Sequence, residues 1–436
     1  SEMCIRDRIN AIKAGIEVSN WVPVGQVVPT QTVTVENSGT IVARTAVWFD
    51  GDGALTGVGG GAVTGTLQGR NDYGVFVGDW RGARDSNNRV RAQGRLLADL
   101  SNAGTISGGS LSGLAIGDLN GRTISNSGSI SANTAIDIGQ GIGTIVNTGT
   151  ITGFRYGINL ANYAGSGSTV ASMPTVLNDT GGTITAVDNN LAVGVRSLGA
   201  LSLTNRGTIT ASLTGVEVQG VGNVLNDTGG TITAVLNASG VGVSAPGTLA
   251  LTNRGTITGR SDAVVIGGGG SVVNEAGATI RGDSLSAFND GSAVWFSTST
   301  GGGTVDNAGT LSGTQTVWFN GPGSTLRNTG TVDGLKRAVM FFGGGTNTVV
   351  NSGTITGGRG GDISAGVTNW PTIYAGGDMT VTNLSDGKIY SRNSNRIVEA
   401  SGNLKLVNDG VVQVDKELAG STAASVWGGA SVDVTN

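Results

Sequence analysis

An Asn-x-Gly corner set between apolar residues recurs along this chain, and it limits the possible folds more tightly than any other feature. A clean copy is Thr348–Gly357, TVVNSGTITG. Val349 and Ile355 are apolar, Asn351 and Gly353 stand between them, and Thr354 and Thr356 flank the isoleucine. Alternation of period two on both sides of a turn reads as strand, corner, strand. The corner Asn returns at Asn37, Asn102, Asn126, Asn147, Asn178, Asn205, Asn226, Asn253, Asn274, Asn307, Asn328, Asn383 and Asn408, in each case with Gly within the next four residues. Two residues before each Asn stands Val, Ile or Leu, as at Val35, Leu100, Ile145, Leu326 and Leu406. Asn126 and Asn147 are 21 residues apart, as are 205 and 226, 253 and 274, and 307 and 328; elsewhere inserts stretch the spacing. One supersecondary unit repeated at this period is a solenoid.

A further strand completes each unit: AVWF at Ala46–Phe49, AIDI at Ala135–Ile138, GVEV at Gly215–Val218, TVWF at Thr316–Phe319 and AVMF at Ala338–Phe341. Three short strands and three turns per coil make a parallel β-helix, so the expected class is all-β, with about 21 residues per basic coil and the solenoid running over 9–436. Stacked helices are excluded, because 78 of 436 residues are Gly and the apolar period is two. Each strand then pairs with its equivalent ~4.8 Å away in the next coil. Inward Val, Ile and Leu form a narrow core, and Gly is expected to supply positive φ at the corners. The corner side chains of Asn126, Asn147, Asn178, Asn205, Asn226, Asn253, Asn274, Asn307, Asn328 and Asn351 are expected to point inward as a hydrogen-bonded amide ladder.

Composition bounds the partners. The formal charge is −4 and the pI about 5.0, and no basic face with interleaved aromatics recurs, so nucleic acid is not an expected partner. Charged residues make up only 13%, which fits a Thr/Ser/Asn-covered secreted surface. No run of apolar residues is long enough for a membrane-spanning helix, and Ile12–Val18, interrupted by Lys13 and Glu17, is too short for a signal peptide. Ser1–Arg8 (SEMCIRDR) match nothing else in the chain and read as a non-native, assembly-derived segment. That segment holds the one cysteine, Cys4; a cysteine-free remainder suits export through an oxidising compartment. Val434 and Asn436 repeat the apolar-x-Asn signature without its Gly-Thr-Ile, so a fragment of a longer solenoid is expected.

Several patterns are candidates for function. Arg81, Arg84, Arg89, Arg91 and Arg95 cluster within Asp79–Arg95, either as a grip for an anionic glycan or as a solvated protruding loop. Thr-Ile-Thr follows five corners, at Thr150/Thr152, Thr183/Thr185, Thr208/Thr210, Thr231/Thr233 and Thr256/Thr258. Two outward Thr ranks on a flat face are the pattern of ice-binding β-solenoids, though Thr is also a good outward strand residue. The outward position of the third strand reads Asp137, Asn159, Gly194, Glu217 and Gly242, and then Val265, Trp295, Trp318, Met340, Tyr374 and Trp427, with Val398 between the last two. Trp48 and Phe76 hold it near the start. Trp295, Trp318, Met340, Tyr374 and Trp427 are therefore the expected binding residues, an exposed stripe suited to stacking on sugar rings or docking a partner. The insert at Gly358–Pro371 is one segment that would cover it; another insert, Tyr163–Pro174, is expected to protrude.

Other motifs fail on chemistry. Arg281-Gly282-Asp283 is an integrin-type tripeptide, and three letters recur by chance. Gly282-Asp283-Ser284-Leu285 matches a hydrolase nucleophile block, yet the chain has no His to serve as base or zinc ligand. Gly357–Asp362 is close to a single calcium-binding nonapeptide, and Asp50-Gly51-Asp52 offers two carboxylates without further ligands. No paired carboxylates occupy equivalent positions of adjacent coils, so no catalytic residue, metal or cofactor is expected. A polysaccharide lyase or hydrolase remains the enzyme alternative.

Repeats of the form V-x-N-x-G-T-I-x-G followed by A-V-x-F and glycines resemble the passenger domains of bacterial autotransporters, over about Asn10 to Asn436. The resemblance implies a right-handed parallel β-helix, export through the outer membrane, and display or release at the cell surface. It also implies a C-terminal β-barrel partner, which this chain does not contain. The family includes adhesins, toxins and proteases; the His-dependent domain of the proteases has no match here. The expected function is that of a surface-displayed or secreted stalk or adhesin, with a glycan or a host or neighbouring cell surface as partner.

Overall fold

The computed structural model describes residues 2–5, 8–10, 14–19, 34–57, 61–78, 94–161, 173–188, 190–283, 291–358, 370–391, 394, 396–414 and 425–436. They fall into two compact units, Ser1–Val221 and Gly222–Asn436. Each unit is an all-β parallel solenoid, and no helix occurs among the described residues. Coils recur about every 25 residues, more than the basic spacing of 21, because inserts lengthen some of them.

Each coil lays down three strands, and the Asn residues end the first of them. In the first unit Thr123–Asn126 lies beside Thr144–Asn147, with Ile124 opposite Ile145 and Asn126 opposite Asn147. Thr175–Asn178 follows in the same register. In the second unit Gly303–Asn307, Thr325–Asn328 and Asn347–Asn351 stack likewise. The second strand begins at the Thr after the corner. In some coils it continues into the third as one bent strand, as in Thr150–Leu160 and Thr331–Phe341. A register shift between Gly313 and Gln315 marks such a bend in Thr310–Phe319.

Identical positions stack, so the core is a set of columns. Ile124, Ile145 and Val176 form one in the first unit, and Val305, Leu326 and Val349 one in the second; all are fully buried. Third strands of the second unit add Phe296, Phe319 and Phe341, whose rings stack with centroids 5.1 and 5.0 Å apart. Such rings carry large apolar area in a narrow core.

The short corners do not use the positive φ expected of their glycines. Gly149 and Gly353 are absent from the left-handed region. A Cβ on Gly149 would instead lie 2.2 Å from the carbonyl oxygen of Gly128, and one on Gly353 2.1 Å from that of Gly330. Close approach of the neighbouring coil's backbone is what demands glycine there. Positive φ belongs to the longer corners, where Gly181, Gly229 and Gly277 have φ of 84, 80 and 79°.

Between Asn37 and Asn102 the chain makes a coil without a corner Asn. Thr66–Gly69 pairs with Thr40–Ala43, and Val75–Gly78 with Thr45–Asp50. The first strand of this coil is Ala54–Thr56, with Thr56 opposite Glu36. Glu2–Ile5, inside the segment set aside above, runs beside Thr34–Asn37.

Candidate binding faces

The corner Asn side chains are buried and linked. In the first unit the Nδ2 of Asn102, Asn126, Asn147 and Asn178 each donates to Oδ1 of the next corner Asn, ending at Asn205, at 2.8 Å every time. In the second unit a row of the same kind runs from Asn226 through Asn253, Asn274, Asn307, Asn328 and Asn351 to Asn383, also at 2.8 Å. The same nitrogen reaches the carbonyl of its own corner, as from Asn126 to Gly128 at 3.3 Å. Each amide therefore ties its turn to the coil that follows. Asn102 follows the coil that lacks an Asn, so its Oδ1 is buried without a donor, as is that of Asn37.

Register pairing fixes which third-strand residues face outward. In the first unit Trp48 stands opposite Phe76, Phe76 opposite Ala115, and Ala115 opposite Asp137. Asp137 then stands opposite Asn159, Asn159 opposite Arg196, and Arg196 opposite Glu217. The outward residue is thus Arg196, not Gly194. In the second unit it is Ser244, not Gly242, since Ser244 pairs with Val265. Tyr374 pairs with Glu399 and Glu399 with Trp427, so Val398 does not belong to the series and is buried. Gly194 and Gly242 stand two residues before Arg196 and Ser244 and share their parity, so alternation alone fits either of each pair; Val398 stands one place before Glu399.

The aromatic row of the second unit is continuous, but its membership differs from the expected stripe. Trp295 and Trp318 stack at 27° with centroids 5.1 Å apart. Met340, opposite Trp318, is 1% exposed, with Arg337 Nη1 3.2 Å from its sulfur. Phe342, 52% exposed, takes the outer place instead; it lies 5.8 Å from Trp318 and 5.9 Å from Tyr374. Arg337 also covers the rings of Trp370 at 4.0 Å and Tyr374 at 5.1 Å. Trp295, Trp318 and Tyr374 are half-buried, and Trp427 is 50% exposed. Phe342 escaped the sequence reading because it lies two residues beyond the outward position. The Trp48–Phe76 pair is closed in by Tyr73 and Leu111.

The Thr ranks are in register. Thr150, Thr183 and Thr208 align in the first unit, as do Thr152, Thr185 and Thr210. In the second unit Thr231 and Thr233 face Thr256 and Thr258, and Arg281 follows Thr258. The tripeptide charges bind each other: Arg281 Nη2 is 2.9 Å from Asp283 Oδ1. Asp52 is taken by Arg95, through Nε at 3.0 Å, Nη2 at 2.7 Å and the backbone N–H at 2.8 Å. That hydrogen bond pushes the guanidinium pKa above its ordinary value. Corner positions hold a pattern the sequence reading missed. Asp179 meets Arg206 at 3.5 Å, and Arg254 lies between Asp227 at 3.5 Å and Glu275 at 2.9 Å.

Some candidates lie outside the described residues: Arg81, Arg84, Arg89 and Arg91, most of the Tyr163–Pro174 and Gly358–Pro371 inserts, Ser284 and Leu285, and most of the nonapeptide. Among the described residues no group of three or more His, Cys, Asp or Glu is placed to hold a metal ion, and no helix is long and apolar enough to cross a membrane. The chain matches no protein-family model, no curated protein and no solved structure.

Proposed function

We propose that this chain is a non-catalytic binding stalk, a β-helical adhesin of the autotransporter-passenger type that presents glycan-binding side chains on the outer face of its third strands. The observation that carries the reading is the aromatic row of the second unit, Trp295, Trp318, Phe342 and Tyr374, on successive coils. Aromatic side chains left at a protein surface suit ligands with one apolar face and one wet edge, which sugar rings have. The stacking of Trp295 on Trp318 occupies one face of each ring, so Phe342 and Trp427, the most exposed aromatics of this face, are the main platforms. Display at the bacterial surface or secretion, and a β-barrel partner in the same polypeptide, belong to the same proposal. They rest on the Asn-x-Gly-Thr-Ile repeats and the near absence of cysteine.

A glycan array probed with the whole chain tests the reading. Binding to a defined set of glycans is expected. In the Trp295→Ala/Trp318→Ala variant and in Phe342→Ala, binding falls at least tenfold while the β-sheet circular dichroism is kept. Unchanged binding by both variants removes the aromatic row as the site. DNA downstream of Asn436 tests the export reading, which predicts an in-frame run of amphipathic barrel strands.

A further inference from the structure

One coil of the first unit interrupts the amide row. Val63-Thr64-Gly65-Thr66-Leu67 has the frame of a corner with Val in the place of Asn. The backbone shows the equivalence. The N–H groups of Ala103 and Gly104 both donate to the Val63 carbonyl at 2.8 Å, as those of Ser127 and Gly128 donate to the Asn102 carbonyl one coil on, at 2.8 and 3.1 Å. Val63 is fully buried and stands opposite Asn102. Its side chain can neither accept from Asn37 nor donate to Asn102. Asn37 Nδ2 reaches only its own corner, at Gly39 O, 3.2 Å away, and Asn102 Oδ1 has no donor.

The sheet of first strands breaks at the same place. Ala54–Thr56 pairs with Thr34–Asn37, while Leu100–Asn102 begins a separate sheet with Thr123–Asn126. Among the described residues only the isolated pairs Gly53–Leu96 and Val63–Asn102 bridge the two sheets. Six residues, 57–62, separate Thr56 from Val63, where Glu36 and Asn37 are adjacent in the coil before. Thr56 Oγ1 is buried without a partner. The other two walls of the coil run through unbroken. Thr66–Gly69 pairs with Thr40–Ala43 on one side and Thr105–Ser107 on the other, and Val75–Gly78 with Thr45–Asp50 and Ser112–Asp118. One wall therefore lacks both links that tie successive coils, ladder pairing and amide bond, and two walls keep theirs. Local opening concentrates where backbone pairing is thin and where buried polar groups gain partners in water. We infer that this coil is a conformational joint: Thr34–Asn37 and Ala54–Thr56 open together, independently of the wall that begins at Leu100, while the other two walls hold. Val63, seated where the other corners place an amide, sets how often they open.

The test is hydrogen-exchange mass spectrometry on the whole chain. In the wild type, residues 34–37 and 54–56 are expected to exchange at a common rate, about tenfold or more faster than 100–102 and 123–126 and than 45–50 in the neighbouring wall. Val63→Asn seats an amide between Asn37 Nδ2 and Asn102 Oδ1. It is expected to slow exchange at 34–37 and 54–56 about tenfold, the equivalent of one good hydrogen bond. Fraying from the chain start would not respond to that change. Asn126→Val moves the same interruption into an unbroken part of the row and is expected to speed exchange at 100–102 and 123–126 by a similar factor. The inference is overturned if 34–37 exchanges no faster than 123–126. It is also overturned if 45–50 exchanges as fast as 34–37, which would be fraying of whole coils, or if the folded Val63→Asn protein exchanges like the wild type. Should Val63→Asn not fold, unchanged exchange in Asn126→Val overturns it.

Discussion

In the first unit the middle of the third strand presents Asp137, Asn159, Arg196 and Glu217; in the second, the equivalent coils present Val265, Trp295, Trp318 and, beside the buried Met340, Phe342. The strands beneath are alike. Both units keep buried apolar columns, an amide row at 2.8 Å and glycine where neighbouring backbones touch. The outward position is thus free to vary because the scaffold does not rely on it. The two units carry different outward side chains on one architecture.

If that separation holds, inward substitutions disturb the fold and outward ones disturb binding. The largest effect is expected for Phe319→Ala, which empties the centre of the phenylalanine stack and costs about 4 kcal/mol of unfolding free energy. Urea unfolding measures it, and a loss below about 1 kcal/mol would show that the stack is not a close-packed core. Next come Asn147→Ala in the first unit and Asn328→Ala in the second. Each takes the amide acceptor from the preceding Asn and the amide donor from the following one, leaving the latter's buried Oδ1 without its donor, at about 3 kcal/mol. Similar values in both units are expected, and a large inequality would break the idea of a common scaffold. Smaller still on stability is Phe342→Ala, at under about 1 kcal/mol for a half-exposed ring. Its effect is to be read in glycan retention, and a large drop in stability instead would make Phe342 a packing residue. The smallest effect is that of Arg254→Ala. Its partners Asp227 and Glu275 lie on an exposed corner, and the hydrogen bond to Glu275 raises a pKa already far above neutrality. No change in the urea midpoint and no pH dependence from this group between pH 5 and 9 are expected; a clear shift would mean that the corner charges fix coil register.

The architecture was legible because Asn-x-Gly and the apolar residue two places before it recur with a spacing only a stacked coil tolerates. What the sequence did not disclose lies where alternation is not enough. Gly194 and Gly242 share the parity of Arg196 and Ser244, two residues on, so counting by twos does not say which of each pair faces outward. Val398 sits one place before the outward Glu399, after the buried Ile397. Met340 looked exposed by parity, but Arg337 folds over it, and that is a relation between side chains which a pattern of apolar letters does not hold. Of the first unit's polar column, Asp137, Asn159 and Glu217 stood in the expected outward series, and only Arg196, 37 residues after Asn159, needed the register to be placed.

The amide row has a sense of direction. Every link in it runs from an earlier nitrogen to a later oxygen, so the bond dipoles add along the stack and each bond polarises the next. A run of this kind has a bare negative pole where it starts, and Asn102 Oδ1 is that pole. Every coil that carries the Asn brings one plug and one socket with the same orientation. A coil can therefore be duplicated, lost or exchanged without reversing the circuit, whatever its outward residues are, and this lets such an array change its length and its surface independently.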